Sequence, residues 1–205
     1  MSQNYDDYGR ISEVSVTDIP SSFRYGWLPG SDLQQSLAMP NGVMRQTAYD
    51  LHRNLLVAIT HTNAAGVALT RRTFEYDAVG RLAGCTQYRM GDETNRFASF
   101  GYNSRSELVS ASIGTNDFAY FFDPVGNRDQ SVENAVTNLY FANNLNQYTN
   151  IISPFRDSFI PVFDADGNQT LIHTTTGIWH VRYNAENRPI VFSNGATVVE
   201  MAYDY

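Results

Sequence analysis

The sequence predicts an all-β fold built from antiparallel hairpins that repeat along one continuous sheet. The first observation is a recurring motif in which an aromatic residue precedes Asp or Asn, and a Gly-Arg or Gly-Asn pair follows. The second is its spacing of 19 to 27 residues, which accommodates two strands of about six residues and two turns. The third is that no long apolar stripe with helical periodicity occurs.

The repeats divide the chain into comparable segments. Nothing in the composition marks a linker, a low-complexity tract or a second domain, so residues 1–205 are interpreted as a single array. Aligned on the aromatic residue, the repeats start near Tyr5, Tyr25, Tyr49, Tyr76, Tyr102, Phe122, Phe141, Phe163, Tyr183 and Tyr203.

Turn chemistry explains the motif. The aromatic residue is expected to end a strand with its ring buried, and the Asp or Asn after it accepts backbone N–H bonds that start a turn. Glycine then adopts the positive φ that returns the chain into an antiparallel partner. The motif therefore predicts a structural hairpin rather than a binding loop. The residues assigned to it are Tyr5, Asp6, Gly9, Arg10, Tyr49, Asp50, Tyr76, Asp77, Gly80, Arg81, Tyr102, Phe122, Asp123, Gly126, Phe163, Asp164, Gly167, Tyr183, Asn184, Arg188, Tyr203 and Asp204.

The segments between the motifs read as strands. A hairpin is expected where Asn41-Gly42 precedes the run "RQTAYD", and another where Asn194-Gly195 separates two β-rich runs. The run "RNLLVAITH" could imitate a short helix, but its β-branched tail favours a strand. The runs "NQTLIHTTT" and "IWHVRY" are expected to meet across Gly177.

The composition is that of a folded, acidic protein. Hydrophobic residues make up 42% of the chain and charged residues 17%, which excludes intrinsic disorder. The net charge of -7 would repel a nucleic-acid backbone, so no nucleic-acid partner is expected. All 14 basic residues are Arg, spread singly along the chain. That spacing indicates forked hydrogen bonds to carboxylates or carbonyls rather than a basic patch.

Several features exclude whole classes of site. The single cysteine, Cys85, rules out an internal disulfide framework and a zinc site made of cysteines. No basic segment followed by an apolar run opens the chain, so no signal peptide is visible. No apolar stretch approaches the roughly 20 residues that a membrane span needs.

Candidate metal and catalytic residues have a simpler explanation. Asp164 and Asp166 suggest calcium, but Gly167 stands too early for an EF-hand loop, and a turn is favoured. His52, His61, His173 and His180 lack the spacing of a zinc protease. No pattern places a nucleophile, a base and an orienting group together, so the sequence predicts no enzyme and no cofactor.

The motifs "YDDYGR", "YDAVGR", "FDPVGN" and "FDADGN" resemble the YD repeats of the Rhs family. That family includes bacterial polymorphic toxins, the C component of insecticidal Tc toxins and the related shell of animal teneurins. The segments "YGWLPGSDLQQSLAMPNG" and "RNLLVAITH" also resemble the stretches between repeats in bacterial Rhs proteins. The resemblance runs from Tyr5 to Tyr205.

The resemblance implies a β-sheet strip that spirals into a hollow shell. It implies a non-enzymatic shell segment, whose partners are the rest of the shell and an enclosed C-terminal toxin domain. It also implies secretion or a cell-surface location. The chain is expected to be an internal repeat fragment of an open shell, because it stops within a repeat and no toxin domain follows.

A second function stays open at this point. Strand aromatics can form platforms on which sugars stack, and Trp27 and Trp179 are the candidate glycan contacts. The longer repeats between Tyr25 and Tyr102 carry extra residues, and insertions in repeat proteins gather on a binding face. The alternative is therefore a repeat module that binds a cell-surface glycan or protein.

Overall fold

The computed structural model describes residues 1–154, 156–174 and 176–204. Within these residues every regular element is a β-strand, as the sequence predicts. The chain divides into two compact units, Met1–Asn116 and Asp117–Tyr205. The interpretation of residues 1–205 as one array therefore stays a prediction.

In the first compact unit each strand is hydrogen-bonded antiparallel to the next one along the chain. The unit is thus a meander of hairpins with sequential strand order. Its strands are β1 (Ser2–Tyr5), β2 (Ile11–Ser15), β3 (Phe23–Trp27), β4 (Gln34–Ala38), β5 (Met44–Tyr49), β6 (Leu56–Thr62), β7 (Ala68–Tyr76), β8 (Leu82–Arg89), β9 (Arg96–Tyr102) and β10 (Leu108–Ile113).

The second compact unit holds two sequential antiparallel sets of strands. One set consists of β11 (Asn116–Phe122, whose first residue belongs to the first unit), β12 (Arg128–Glu133), β13 (Val136–Ala142), β14 (Tyr148–Ser153) and β15 (Arg156–Phe159). The other consists of β16 (Val162–Phe163), β17 (Gln169–Thr174), β18 (Gly177–Tyr183), β19 (Pro189–Ser193) and β20 (Val198–Glu200). The hairpin expected at Asn194-Gly195 joins β19 to β20, and Ser193 pairs with Val198.

The motif turns share one geometry. In the first of them the Gly9 amide donates to the Asp6 carbonyl at 3.0 Å, and the Asp6 amide donates to the Arg10 carbonyl at 2.8 Å. Gly9 has a φ of 76°. This is a three-residue hairpin loop in which a turn ends on a left-handed residue, the position for which glycine carries no steric cost. Asn54, Asn146 and Asn187 take the same left-handed conformation in repeats without that glycine.

A β-bulge ends each strand that enters a motif turn. Tyr5 pairs with Ile11 whereas Asn4 pairs with Glu13, so one residue of β2 is left without a partner. The same shift occurs at the end of every strand that enters a motif turn. A bulge bends its strand and increases the local twist, so each repeat carries its own source of curvature.

In two repeats the observed strand register places the start at a residue other than the expected aromatic. Trp27, rather than Tyr25, occupies the bulge position in its repeat. Ala142, rather than Phe141, does so in another, and the φ of 59° at Asn146 marks the left-handed position there. The aromatic alignment misses Trp27 because Tyr25 also fits the strand end, and it misses Ala142 because that residue is not aromatic.

The sheets bury few hydrophobic side chains. Among the described residues, Ala111 (7% exposed) and Val181 (3%) are the buried hydrophobic side chains. The accessible surface is 13859 Å², whereas roughly 9,600 Å² is typical of a compact monomer of 23.0 kDa. The expectation that each motif ring is buried is wrong for Tyr5, which is 58% exposed, and Tyr76 and Tyr102 are only half-buried.

Candidate functional site

The motif Asp organises its own turn. In the first repeat Asp6 Oδ1 accepts the amides of Tyr8 at 3.0 Å and Arg10 at 2.9 Å. Asp6 Oδ2 accepts Arg10 Nε at 2.8 Å and forms an ion pair with Arg10 Nη2 at 2.7 Å. Asn184 makes the same pair of backbone contacts to Glu186 and Arg188. The hydrogen bonds that shape the turn therefore require a side-chain oxygen, which Asp and Asn both supply. The negative charge of Asp adds an ion pair to those bonds.

The hydrogen bonds stabilise the ionised form of these carboxylates. The Arg10 side chain, followed by the amides of the turn, lowers the pKa of Asp6 from its ordinary value of 3.8. In Asp77 the Arg81 amide is the largest stabilising contact and also lowers the pKa. The pKa of Asp164 is also lowered: burial would raise it, but the hydrogen bonds from Asn168 and from the amides of Asp166 and Gly167 together outweigh burial.

These shifts predict an acid dependence of stability. A carboxyl whose pKa is lower in the folded state contributes stability above its unfolded pKa of 3.8, and loses it as the pH falls through the folded value. Asp6→Asn should therefore be less stable than the wild type at neutral pH, with a difference that vanishes in acid. Urea unfolding across a pH series measures it. Asp7→Asn is the control in the same turn, and an equal effect of both substitutions would refute the role of Asp6.

In the repeats whose motif ring is Tyr or Trp, a ladder of ring donors joins the repeat to the one before it. Tyr76 Oη donates to the Leu56 carbonyl at 2.8 Å, and Tyr102 Oη donates to the Leu82 carbonyl at 2.9 Å. Leu82 is itself the residue that pairs with Tyr76, so each ring reaches the strand that leaves the preceding turn. The other ring-to-carbonyl pairs are Trp27 Nε1 to Ile11, Tyr49 to Gln34, Tyr183 to Gln169 and Tyr203 to Pro189.

Removal of one ring hydroxyl should weaken this ladder measurably. Tyr76→Phe keeps the ring and leaves the Leu56 carbonyl without this donor, which should cost about 1 kcal/mol of unfolding free energy. Chemical denaturation provides the measurement. Tyr88→Phe is the control, because its hydroxyl has no hydrogen bond among the described residues. A Tyr76→Phe protein as stable as the Tyr88→Phe protein would exclude a contribution from the ladder.

The motif Arg forms a second connection between repeats. Arg81 Nε donates to Asp77 Oδ2 of the same turn at 2.6 Å. Arg81 Nη1 donates to the Asn103 carbonyl of the next turn at 3.1 Å. Its guanidinium also lies over the Tyr102 ring, 4.7 Å from the centroid. Arg10 lies over Trp27 in the same way. Each such Arg therefore links one turn to the following turn and to its ring.

In two turns of the second compact unit Asn replaces Arg in this connection, whereas Arg188 keeps it and lies over the Tyr203 ring, 5.5 Å from the centroid. Asn127 Nδ2 donates to Asn146 Oδ1 at 3.0 Å, and Asn168 Nδ2 donates to Asn187 Oδ1 at 2.8 Å. Both Asn side chains also bind the Asp of their own turn. Gly126 and Gly167 have positive φ in these two turns. The motif rings that precede them are Phe122 and Phe163. Asp204, the last motif Asp, lies exposed beyond β20.

The two tryptophans have partners within the chain. Trp27 Nε1 donates to the Ile11 carbonyl at 2.9 Å, and its ring carries the Arg10 guanidinium at 5.4 Å from the centroid. Trp179 Nε1 donates to Thr176 Oγ1 at 3.0 Å. Trp27 thus serves as a member of the ring ladder. Glycan contact by either residue stays a prediction.

The register brings three arginines together that the sequence keeps apart. Arg72 pairs with Gln87, which pairs with Arg96, and Thr70 pairs with Arg89. Directly paired residues and residues two apart on a strand share a face, so Arg72, Arg89 and Arg96 surround Gln87 on one face. We call these three residues the arginine patch. The expectation that no basic patch forms is therefore wrong, and the positions of Arg in the sequence carry no signal of it without the register.

Other candidate chemistry remains local. Among residues 1–154, 156–174 and 176–204, no group of three His, Cys, Asp or Glu side chains could hold a metal ion. The Asp164 carboxylate accepts the amides of Asp166 and Asn168, as a turn residue does. In the described part of the chain no helix is long and apolar enough to cross a bilayer.

Comparison with known proteins places this fold. No family model and no curated protein matches the chain. A mutated Tc holotoxin pore from Photorhabdus luminescens matches with a TM-score of 0.52 at 12% identity, covering 96% of this chain and 13% of that one. A TcdB2-TccC3 complex with Cdc42 matches at 0.44 and 13% identity, with 87% and 13% coverage. TcdB2-TccC3 without its hypervariable C-terminal region matches at 0.46 and 11% identity, with 95% and 14% coverage.

The molecule is thus an all-β protein of repeated antiparallel hairpins. Its fold matches part of the Tc holotoxin pore structure over nearly the whole chain. The chain spans about an eighth of the length of the structures that it matches.

Proposed function

We propose that this chain is a non-enzymatic wall segment of an Rhs-type shell that encloses or presents a C-terminal toxin. The proposal rests on two connections between successive repeats. In one, a ring donor binds a backbone carbonyl of the preceding repeat. In the other, the motif Arg binds the next turn. Neither connection leads to an open binding pocket. Where they occur, both connections join a repeat to its neighbour in the same sheet, as a wall requires.

The uncovered sheet faces support this role. A sheet with so few buried side chains gains little stability from a core of its own, because burial of apolar area is the main favourable term in folding. In a shell, the neighbouring repeats and the enclosed polypeptide supply the missing contacts. The partners in this proposal are therefore the rest of the shell and a cargo domain, outside the producing cell or at its surface.

Protection of the cargo tests the proposal. The reading frame on both sides of this segment should contain further Tyr-Asp-x-x-Gly-Arg repeats and an unrelated C-terminal domain. In the purified full product that domain should resist protease, and Arg81→Ala together with Tyr102→Phe should increase its cleavage. Absence of flanking repeats, or a cargo cleaved equally fast in wild type and variant, would overturn the proposal.

The glycan-binding alternative has a separate test. Trp27→Ala and Trp179→Ala should abolish binding on a glycan array while the circular dichroism spectrum stays unchanged. Because the indole N–H of each tryptophan already has a partner in the chain, a sugar would have to bind the ring face alone. A wild-type chain that binds no glycan excludes this function.

A further inference from the structure

The arginine patch lies on strands that are longer than those of most other repeats. Strand β7 has nine residues and β8 has eight. The additional length extends away from the Asp77 turn, and Arg89 and Arg96 stand at that far end. The extra residues of this repeat therefore build a surface that the shorter repeats lack.

The patch is largely free of compensating charge. No ion pair or side-chain hydrogen bond involves Arg72 or Arg89 among the described residues, and both are exposed. Arg96 is 71% exposed, and its one ion pair, to Asp92, is long at 3.8 Å. Three cations thus converge on one face of a chain whose net charge is -7. Such an arrangement costs free energy through repulsion unless an anion offsets it.

We propose that the arginine patch binds an extended acidic polypeptide segment. Neighbours on the diagonal of a sheet are about 7–8 Å apart, and alternate side chains of an extended peptide are about 7 Å apart. Carboxylates at every second position would therefore meet successive guanidinium groups, and each Arg fork can bind a carboxylate through two bonds. The Gln87 amide at the centre offers one donor and one acceptor group to the peptide backbone.

A peptide fits this surface better than nucleic acid does. The chain as a whole has a net charge of -7, so a long phosphate backbone that extends past the three arginines would be repelled. The same face carries Ile59 and Phe74, half-buried apolar side chains that can contact apolar positions of a polypeptide. This binding surface does not depend on the proposed role as a shell wall.

Fluorescence anisotropy with a labelled Glu-Ser repeat peptide tests the proposal on the full 205-residue chain. Arg72→Gln, Arg89→Gln and Arg96→Gln combined should weaken binding about tenfold, since three charge-assisted Arg–carboxylate contacts are lost together. Arg71→Gln is the matched control for a single charge, because Arg71 is exposed and adjacent to Arg72 but points to the opposite face. It should change affinity less than about twofold, whereas Arg72→Gln alone should weaken it by more.

Three outcomes would overturn the proposal. The first is a wild-type chain that fails to bind the Glu-Ser peptide, or that binds a Gln-Ser peptide equally well. The second is an equal loss for Arg71→Gln and Arg72→Gln, which would indicate a non-specific charge effect. The third is tighter binding of a thymidine oligonucleotide with the same Arg dependence, which would make nucleic acid the ligand. Circular dichroism of each variant verifies that the sheet is retained.

Discussion

Val181→Asp is expected to destabilise the second compact unit by roughly 3–6 kcal/mol, the sum of lost apolar burial and of burying an unpaired polar group. Val181 lies in β18, is 3% exposed and pairs with Phe192 on β19. In a chain with so few buried side chains, such a cost is a large share of the total stability. Loss of a cooperative urea transition, or a strongly lowered midpoint, is the expected result.

Ile178→Asp is the matched control for this prediction. Ile178 lies in the same strand on the opposite face and is 48% exposed, so a carboxylate there stays hydrated. Its substitution should change the unfolding free energy by less than about 1 kcal/mol. Equal destabilisation by both substitutions would mean that the face of β18 carrying Val181 contributes no more to the fold than the exposed face does.

Gly80→Val is expected to cost at least about 2 kcal/mol, because Gly80 has a φ of 87° and a β-branched residue is strongly disfavoured there. A Cβ at this position has room, since the nearest atom, Leu55 Cδ1, lies 3.8 Å away. The cost is therefore conformational. It should appear as a lowered denaturation midpoint with an unchanged slope.

Two comparisons isolate the conformational cause. Gly80→Asn should cost less than Gly80→Val, because Asn54, Asn146 and Asn187 hold the equivalent left-handed position elsewhere in the chain. Ala78→Val places the same side chain at an exposed position of the same turn and should be nearly neutral. If Gly80→Asn and Gly80→Val proved equally destabilising, the left-handed backbone could not be the reason.

Local chemistry made the turns predictable. Asp6 and Gly9 stand three residues apart, and that spacing by itself defines a side-chain acceptor and a left-handed position. The same reasoning located the β19–β20 hairpin from Asn194-Gly195. Trp27 was harder to place, because Tyr25 two residues earlier fits the same pattern and only the bulge distinguishes them.

The fold class, the repeat spacing and the turn residues follow from the amino-acid sequence, because each depends on contacts within a few residues of the chain. The ring-to-carbonyl pairs do not, since Tyr102 and Leu82 meet through strand order. Strand pairing also determines that Arg72, and not Arg71, joins Arg89 and Arg96. A shift of one residue in register moves every side chain to the other face, and no single strand contains that information.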